Sequence, residues 1–185
     1  MIIKAVGFQN PAIKMVTALS EMLRISMESK EYLIPLCDEI IHCKSYLDIM
    51  KIRYSDKLNI EWKVSGDLLQ YKAVKLSLQP IIENAVYHGI KPKKDKGKIV
   101  INAYYNDGNI LVEIIDDGIG MPKDKIDAIN ATLNNEFTPE EEHVGIANVN
   151  KRIKLIFGSE YGVLIDENWE IGTRVIITIP AIKNT

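Results

Sequence analysis

The chain has 185 residues, which suits one domain with an appended helical piece. Apolar residues make up 46%, enough for a packed core, and the charged 26% nearly cancel to a net charge of −2. That balance removes any overall electrostatic case for nucleic acid, and no apolar run approaches the length of a membrane span. Cys37 and Cys43 lie six apart on one helical stretch. They are roughly 9 Å apart along the axis, which is too far for an undistorted disulfide. Two thiols alone make no zinc site, His42 and His143 add no supporting spacing, and free thiols fit a reducing cytosol. The start has no signal-peptide pattern. Asn130-Ala131-Thr132 matches a glycosylation sequon, a short pattern common by chance, and nothing else points to secretion.

Residues 1–9 are uninformative and fit a tag or a truncation scar. From Pro11 to about Lys30, Ala12, Val16, Leu19 and Leu23 recur at steps of four and three, the period of a helix. Pro35 opens a second helix with Leu36, Ile40, Cys43, Leu47, Met50 and Tyr54 as a heptad seam. Two antiparallel helices with facing seams form a hairpin. Either it packs on its own domain or it joins a second copy in an inter-subunit four-helix bundle, which the small buried area of an isolated hairpin favours. The expected division is a helical segment over 1–56 and a second unit over 57–185.

From Asp56 the texture changes. Leu58–Val64 predicts a strand, and Lys72–His88 a helix with Leu76, Pro80 and Val86 on its apolar face. Lys98–Tyr105 and Ile110–Ile115 predict strands joined by the hairpin turn Asn106-Asp107-Gly108-Asn109. Pro122–Leu133 predicts a helix with proline early, 134–143 a polar, acidic loop, and Gly145–Phe157 a helix. Val163–Ile165 and Thr173–Ile179 close the chain as strands. Helices and antiparallel hairpins without regular βαβ alternation imply an α+β, two-layer sandwich. No internal repeat is visible.

Three separated segments concentrate the chemistry: Glu83-Asn84-Ala85-Val86-Tyr87-His88-Gly89, Ile115-Asp116-Asp117-Gly118-Ile119-Gly120-Met121, and Val144-Gly145-Ile146-Ala147-Asn148. P-loop, complete dinucleotide and nucleophile-elbow patterns are all missing. Asp116 ends an apolar run, and Gly118 and Gly120 permit positive φ and close approach of a flat ligand. A carboxylate repels a triphosphate but accepts from an exocyclic amino group, so with a nucleotide Asp116 faces the base. Taken alone, the same residues are an ordinary turn with a capping aspartate. Asn84 and His88, four apart on one helix, share a face. A neutral amide oxygen suits Mg²⁺ when phosphates supply the charge, and a structural pair is the plainer alternative. The helix start at Gly145 is either a phosphate site or a glycine cap. Lys151 and Arg152 are open between phosphate contacts and solvation. The lysines at 91, 93, 94, 96 and 98 fit a solvated connection, having no interleaved aromatics.

In this order the segments resemble the histidine-kinase ATPase family, which shares its ATP-binding (Bergerat) fold with gyrase B, Hsp90 and MutL. Leu78-Gln79-Pro80-Ile81-Ile82-Glu83-Asn84-Ala85-Val86-Tyr87-His88-Gly89 is similar to the asparagine box of the LytS/YehU-type sensor kinases, and Gly172-Thr173-Arg174-Val175 to the family's closing strand. The resemblance implies a mixed sheet covered by helices. It implies ATP and Mg²⁺ as ligands, with Asn84 and His88 in the catalytic set and Asn84 on the metal. Asp116 would bind the adenine amino group. Gly118, Gly120, Met121, Gly145, Ile146, Asn148 and Thr173 would complete the nucleotide site, with residues 122–144 as a lid. It further implies a homodimer, a response regulator as partner, and the cytoplasmic portion of a membrane-anchored sensor, with no nucleic acid and no membrane contact from this piece.

Two departures stand out. His143 occupies the place of the first glycine in the usual second glycine box. The family's Asn-Pro-His-Phe acceptor stretch has no counterpart, since this chain has Asn10-Pro11-Ala12-Ile13. The expected function is therefore transfer of the ATP γ-phosphate to a histidine not carried here. The alternative is an ATP hydrolase or ATP-gated clamp. Pro80 stands where the gyrase-type relatives carry a general-base glutamate, and it cannot activate water. Glu83, about a hundred degrees round the helix from Asn84, is the weaker candidate for that role. A non-catalytic dimerisation module with a vestigial pocket is a third possibility.

Overall fold

The computed structural model describes residues 10–28, 31–54, 57–134 and 144–184. Residues 1–9, the expected acidic loop beyond Asn134, and His143 lie outside them. Helix α1 spans Pro11–Glu28, with Asn10 Oδ1 accepting from the Ala12 N–H at 2.9 Å as its cap. Helix α2 spans Leu36–Tyr54. The expected facing seams are corrected here. The α2 seam Leu36, Ile40, Cys43, Leu47 and Met50 is buried in the core shared with the sheet. α1 contacts α2; its buried residues are Ala18 and Ile25, and Met22 packs against the core cluster. Its expected stripe points outward, with Val16 65% exposed and Leu19 and Leu23 each 52% exposed.

The helix expected from Lys72 is also shorter. Lys72–Val74 is a strand, β3, paired antiparallel with β1 (Leu33–Pro35). Leu76, at φ 55, turns the chain, and α3 begins only at Gln79. Pro80 sits in its first turn, where no intrahelical N–H is required. α3 (Gln79–Asn84) runs into a π-helical turn over Ala85–Ile90, closed by Lys91 N–H on Val86 O at 2.8 Å.

The main sheet is built from β2 (Leu58–Val64), β4 (Gly97–Asn106), β5 (Asn109–Asp116), β6 (Gly162–Ile165) and β7 (Thr173–Pro180), in the order β2-β4-β5-β7-β6. The β2–β4 pair is parallel and the others antiparallel. The β4–β5 hairpin turns through Asp107 and Gly108, both at positive φ, as the sequence predicts. One face of the sheet carries Ile99, Ile101, Ile110, Val112, Ile114, Val175 and Ile177. It packs in one cluster with Ile81 and Ile82 of α3, Ile126 and Ile129 of α4 (Lys123–Asn134), and Val149 and Ile153 of α5 (Val144–Phe157). This is the expected α+β sandwich: a mixed sheet covered by helices, preceded by a helical hairpin.

Polar residues also tie its elements together. Arg174 bonds Glu113 at 2.5 Å and Asp166 at 2.9 Å. Burial pushes the Glu113 carboxyl up, but the bonds from Arg174, Tyr104 and Asn102 hold it below the usual carboxylate range. Asn130 pairs with the Ile165 backbone, donating at 2.7 Å and accepting at 3.0 Å. The sequon asparagine thus fastens α4 to β6.

Candidate functional site

The alternation that makes β5 a strand puts Asp116 in phase with Ile110, Val112 and Ile114, on the helix-covered face. The residue is consequently 3% exposed. Gly118 N–H donates to Oδ1 at 2.8 Å, and Thr173, its register partner on β7, adds further hydrogen bonds. Loss of water outweighs these donors, and the carboxyl is pushed up to about 6.

Glycines permit this packing. A Cβ on Gly118 would stand 2.4 Å from the Gly89 Cα, and one on Gly172 would stand 2.0 Å from the Asp116 carbonyl oxygen. Gly118 is therefore a spacer behind the site: it brings the end of the Asn84 helix into contact with the end of β5.

Beside Asp116 opens a cavity of about 530 Å³, a size common for small-molecule sites. Ile114, Val175, Ile165, Ile129 and Ile146 give it apolar walls. Among the expected residues Asn84, His88, Asp116, Gly120, Met121, Gly145, Ile146 and Thr173 all line it, whereas Gly118 and the exposed Asn148 do not. Asn84 and His88 face the same space although the backbone between them is π-helical, a distortion common at functional sites. An open groove of about 670 Å³, lined by Glu83, Tyr87 and Lys91, continues outward from Asn84, His88 and Pro92.

The donors suit a nucleotide and a hard cation. Among the described residues there is no cluster of three or more histidine, cysteine or acidic side chains. A metal at Asn84 would take its remaining oxygen ligands from phosphates and water, as suits Mg²⁺. Lys125, at the cavity, escaped the sequence reading because it looks like any exposed lysine of a first helical turn. Arg152 does not reach the cavity: its guanidinium donates to Lys75 O at 2.8 Å and Leu76 O at 2.7 Å. Lys151 is exposed. The lysine connection is partly tied down, with Lys93 pairing with Asp117 at 3.0 Å and Lys98 with Glu61.

Comparison with known proteins gives concordant results. The pattern described as "Histidine kinase-, DNA gyrase B-, and HSP90-like ATPase" matches residues 73–183, and the pattern "Histidine kinase" matches residues 2–58. The chain is 28% identical over 172 residues to sensor histidine kinase YesM of Bacillus subtilis, covering 93% of this chain and 28% of that protein. It is 26% identical over 163 residues to sensor protein LytS of Oceanobacillus iheyensis, covering 88% and 28%. The chain thus spans about 28% of the length of these relatives. The catalytic domain of histidine kinase ThkA superposes with a TM-score of 0.58 at 18% identity, covering 82% of this chain and 99% of that domain.

Proposed function

We propose that this chain, which belongs to the histidine kinase-, DNA gyrase B- and HSP90-like ATPase family, is the catalytic portion of a sensor kinase that binds ATP with Mg²⁺ and passes the γ-phosphate to a histidine outside the chain. The observation that carries the reading is the polarity of the cavity. A buried carboxylate, Asp116, isoleucine walls, the polar side chains Asn84 and His88, and the start of α5 line one space. Asp116 accepts from the adenine amino group, and Thr173 supports that end. Ile114, Ile146 and Val175 exclude water from the base. Asn84 offers its amide oxygen to Mg²⁺, whose contribution when bound is to neutralise phosphate charge. His88 and the N–H groups at the start of α5 face the phosphates. Catalysis of this kind is mostly positioning and charge neutralisation.

Pro80 sits in the first turn of α3 and supplies no base. Glu83 lines the outer groove and not the cavity. Both facts favour transfer over hydrolysis. The exposed stripe Val16, Leu19 and Leu23 on α1 suits a second copy of the chain, giving a homodimer, with a response regulator receiving the phosphoryl group from the acceptor histidine. Among the described residues no helix is long and apolar enough to cross a membrane. A membrane anchor, if the sensor has one, belongs to other segments, and this piece works on the cytoplasmic side. The test is incubation with γ-³²P-ATP and a separate acceptor helix bearing Asn-Pro-His-Phe. Acid-labile label on the acceptor and none on this chain is expected. Label on this chain, or none on either, contradicts the reading.

A further inference from the structure

Glu39 lies in the first turn of α2, is not among the residues lining the cavity, and is 1% exposed. Its Oε1 accepts from the Leu76 N–H at 2.5 Å, and its Oε2 from the Ser77 and Leu78 N–H groups at 2.9 and 3.1 Å. Those are donors at the entry to α3, where no local side chain caps the helix. Arg152 of α5 takes the carbonyls of the same segment, Lys75 O and Leu76 O, at 2.8 and 2.7 Å. Segment 75–78 is therefore gripped through its donors from α2 and through its acceptors from α5. The grip includes Leu76, held in a left-handed conformation that a leucine disfavours by itself.

A local serine or aspartate would cap α3 without burying a charge. The fold instead desolvates a carboxylate, whose burial pushes its pKa up against the three N–H bonds and the Arg152 charge. What this arrangement adds is a fixed spatial relation among three helices. α3 carries Asn84 less than two turns beyond the clamped segment, and α5 begins at the cavity with Gly145 and Ile146.

We propose that Glu39 and Arg152 are positioning residues of the nucleotide site: clamping segment 75–78 sets α3 against α5, and so sets Asn84 against the phosphate-facing start of α5. The placement of α2, the hairpin helix that leads into the sheet, thereby governs metal-dependent nucleotide affinity. This inference rests on the ATP–Mg²⁺ reading above and deepens it.

The test is calorimetric titration of the full chain with ATP, with and without Mg²⁺, in wild type, Glu39→Gln, Glu39→Asp and Arg152→Lys. The readout is the ratio of the two affinities, which a merely structural role does not move. The ratio is expected to fall at least fivefold in Glu39→Gln and Arg152→Lys and less in Glu39→Asp, while Mg²⁺-free affinity stays within about twofold. If Glu39→Gln fails to fold by circular dichroism, Glu39→Asp and Arg152→Lys decide. A wild-type ratio in the folded variants, whatever their melting temperature, overturns the proposal alone. Absence of ATP binding or of metal dependence in the wild type overturns the underlying reading, and this proposal with it.

Discussion

Gly89 and Asp116 touch across the site: a Cβ built on Gly89 would stand 2.5 Å from Asp116 Oδ1 and 2.8 Å from its Cγ. The bare Cα at the end of the Asn84 helix is the floor on which the Asp116 carboxylate rests. Gly89→Ala displaces either the carboxylate or the helix. ATP affinity should fall about tenfold or more, roughly 1.4 kcal/mol, with a stability loss of about 1–3 kcal/mol from overpacking. Calorimetry and thermal melts check both.

Asp116→Asn separates binding from stability. The native carboxyl is pushed up to about 6 from 3.8, so the folded state holds its proton more tightly than the unfolded chain does. This group's contribution to stability is complete below about pH 4 and is lost as the pH rises through about 6. At pH 8 the charge is a burden on the free domain. The amide should raise its stability by about 1–3 kcal/mol while greatly weakening ATP binding. Denaturant melts of the two proteins at pH 8 and pH 4 test this, and the gap should shrink at the lower pH.

With Asp116 as the proposed acceptor of the base, nucleoside binding is expected to depend on pH. The ionised form accepts two hydrogen bonds more readily than the neutral acid, so affinity should be flat above pH 7 and fall as pH drops through about 6. Adenosine is the suitable probe, because ATP's own phosphates titrate nearby. A flat profile from pH 8 to pH 5 counts against Asp116 as the base acceptor.

Much of this was legible in the sequence, for local reasons. The apolar run Ile110–Ile115 foretells the strand that ends at Asp116, while the burial of the carboxylate depends on the helices that cover that face. Asp107-Gly108 foretells the hairpin, and the two boxes holding Asn84 and Asp116 are contiguous patterns. What was missed depends on pairings distant in sequence. Lys72-Ala73-Val74 has helical neighbours, yet it becomes a strand because Leu33–Pro35 lies beside it. Glu39 looks like any acidic residue of a first helical turn, and nothing near it announces that its partners are 37 to 39 residues away. The α1 stripe was recognised as apolar, but periodicity alone does not say which body an apolar face meets.

That stripe gives the next prediction. Val16→Glu with Leu19→Glu places charge on an exposed face, so the melting temperature of the monomer should change little. If the face meets a second copy, the wild type sediments as a dimer at concentrations where the double variant is a monomer. Identical sedimentation of the two proteins removes α1 from the dimer contact.

The proposed function places the base at Asp116 and a phosphate-bound metal at Asn84 in one cavity. Calorimetric titration of wild type, Asp116→Asn and Asn84→Ala with ATP, each with and without Mg²⁺, addresses it directly. The wild type should bind ATP more tightly with Mg²⁺, Asp116→Asn should lose affinity under both conditions, and Asn84→Ala should lose the Mg²⁺ enhancement alone. Wild-type affinity in Asp116→Asn, or an undiminished Mg²⁺ enhancement in Asn84→Ala, would contradict it.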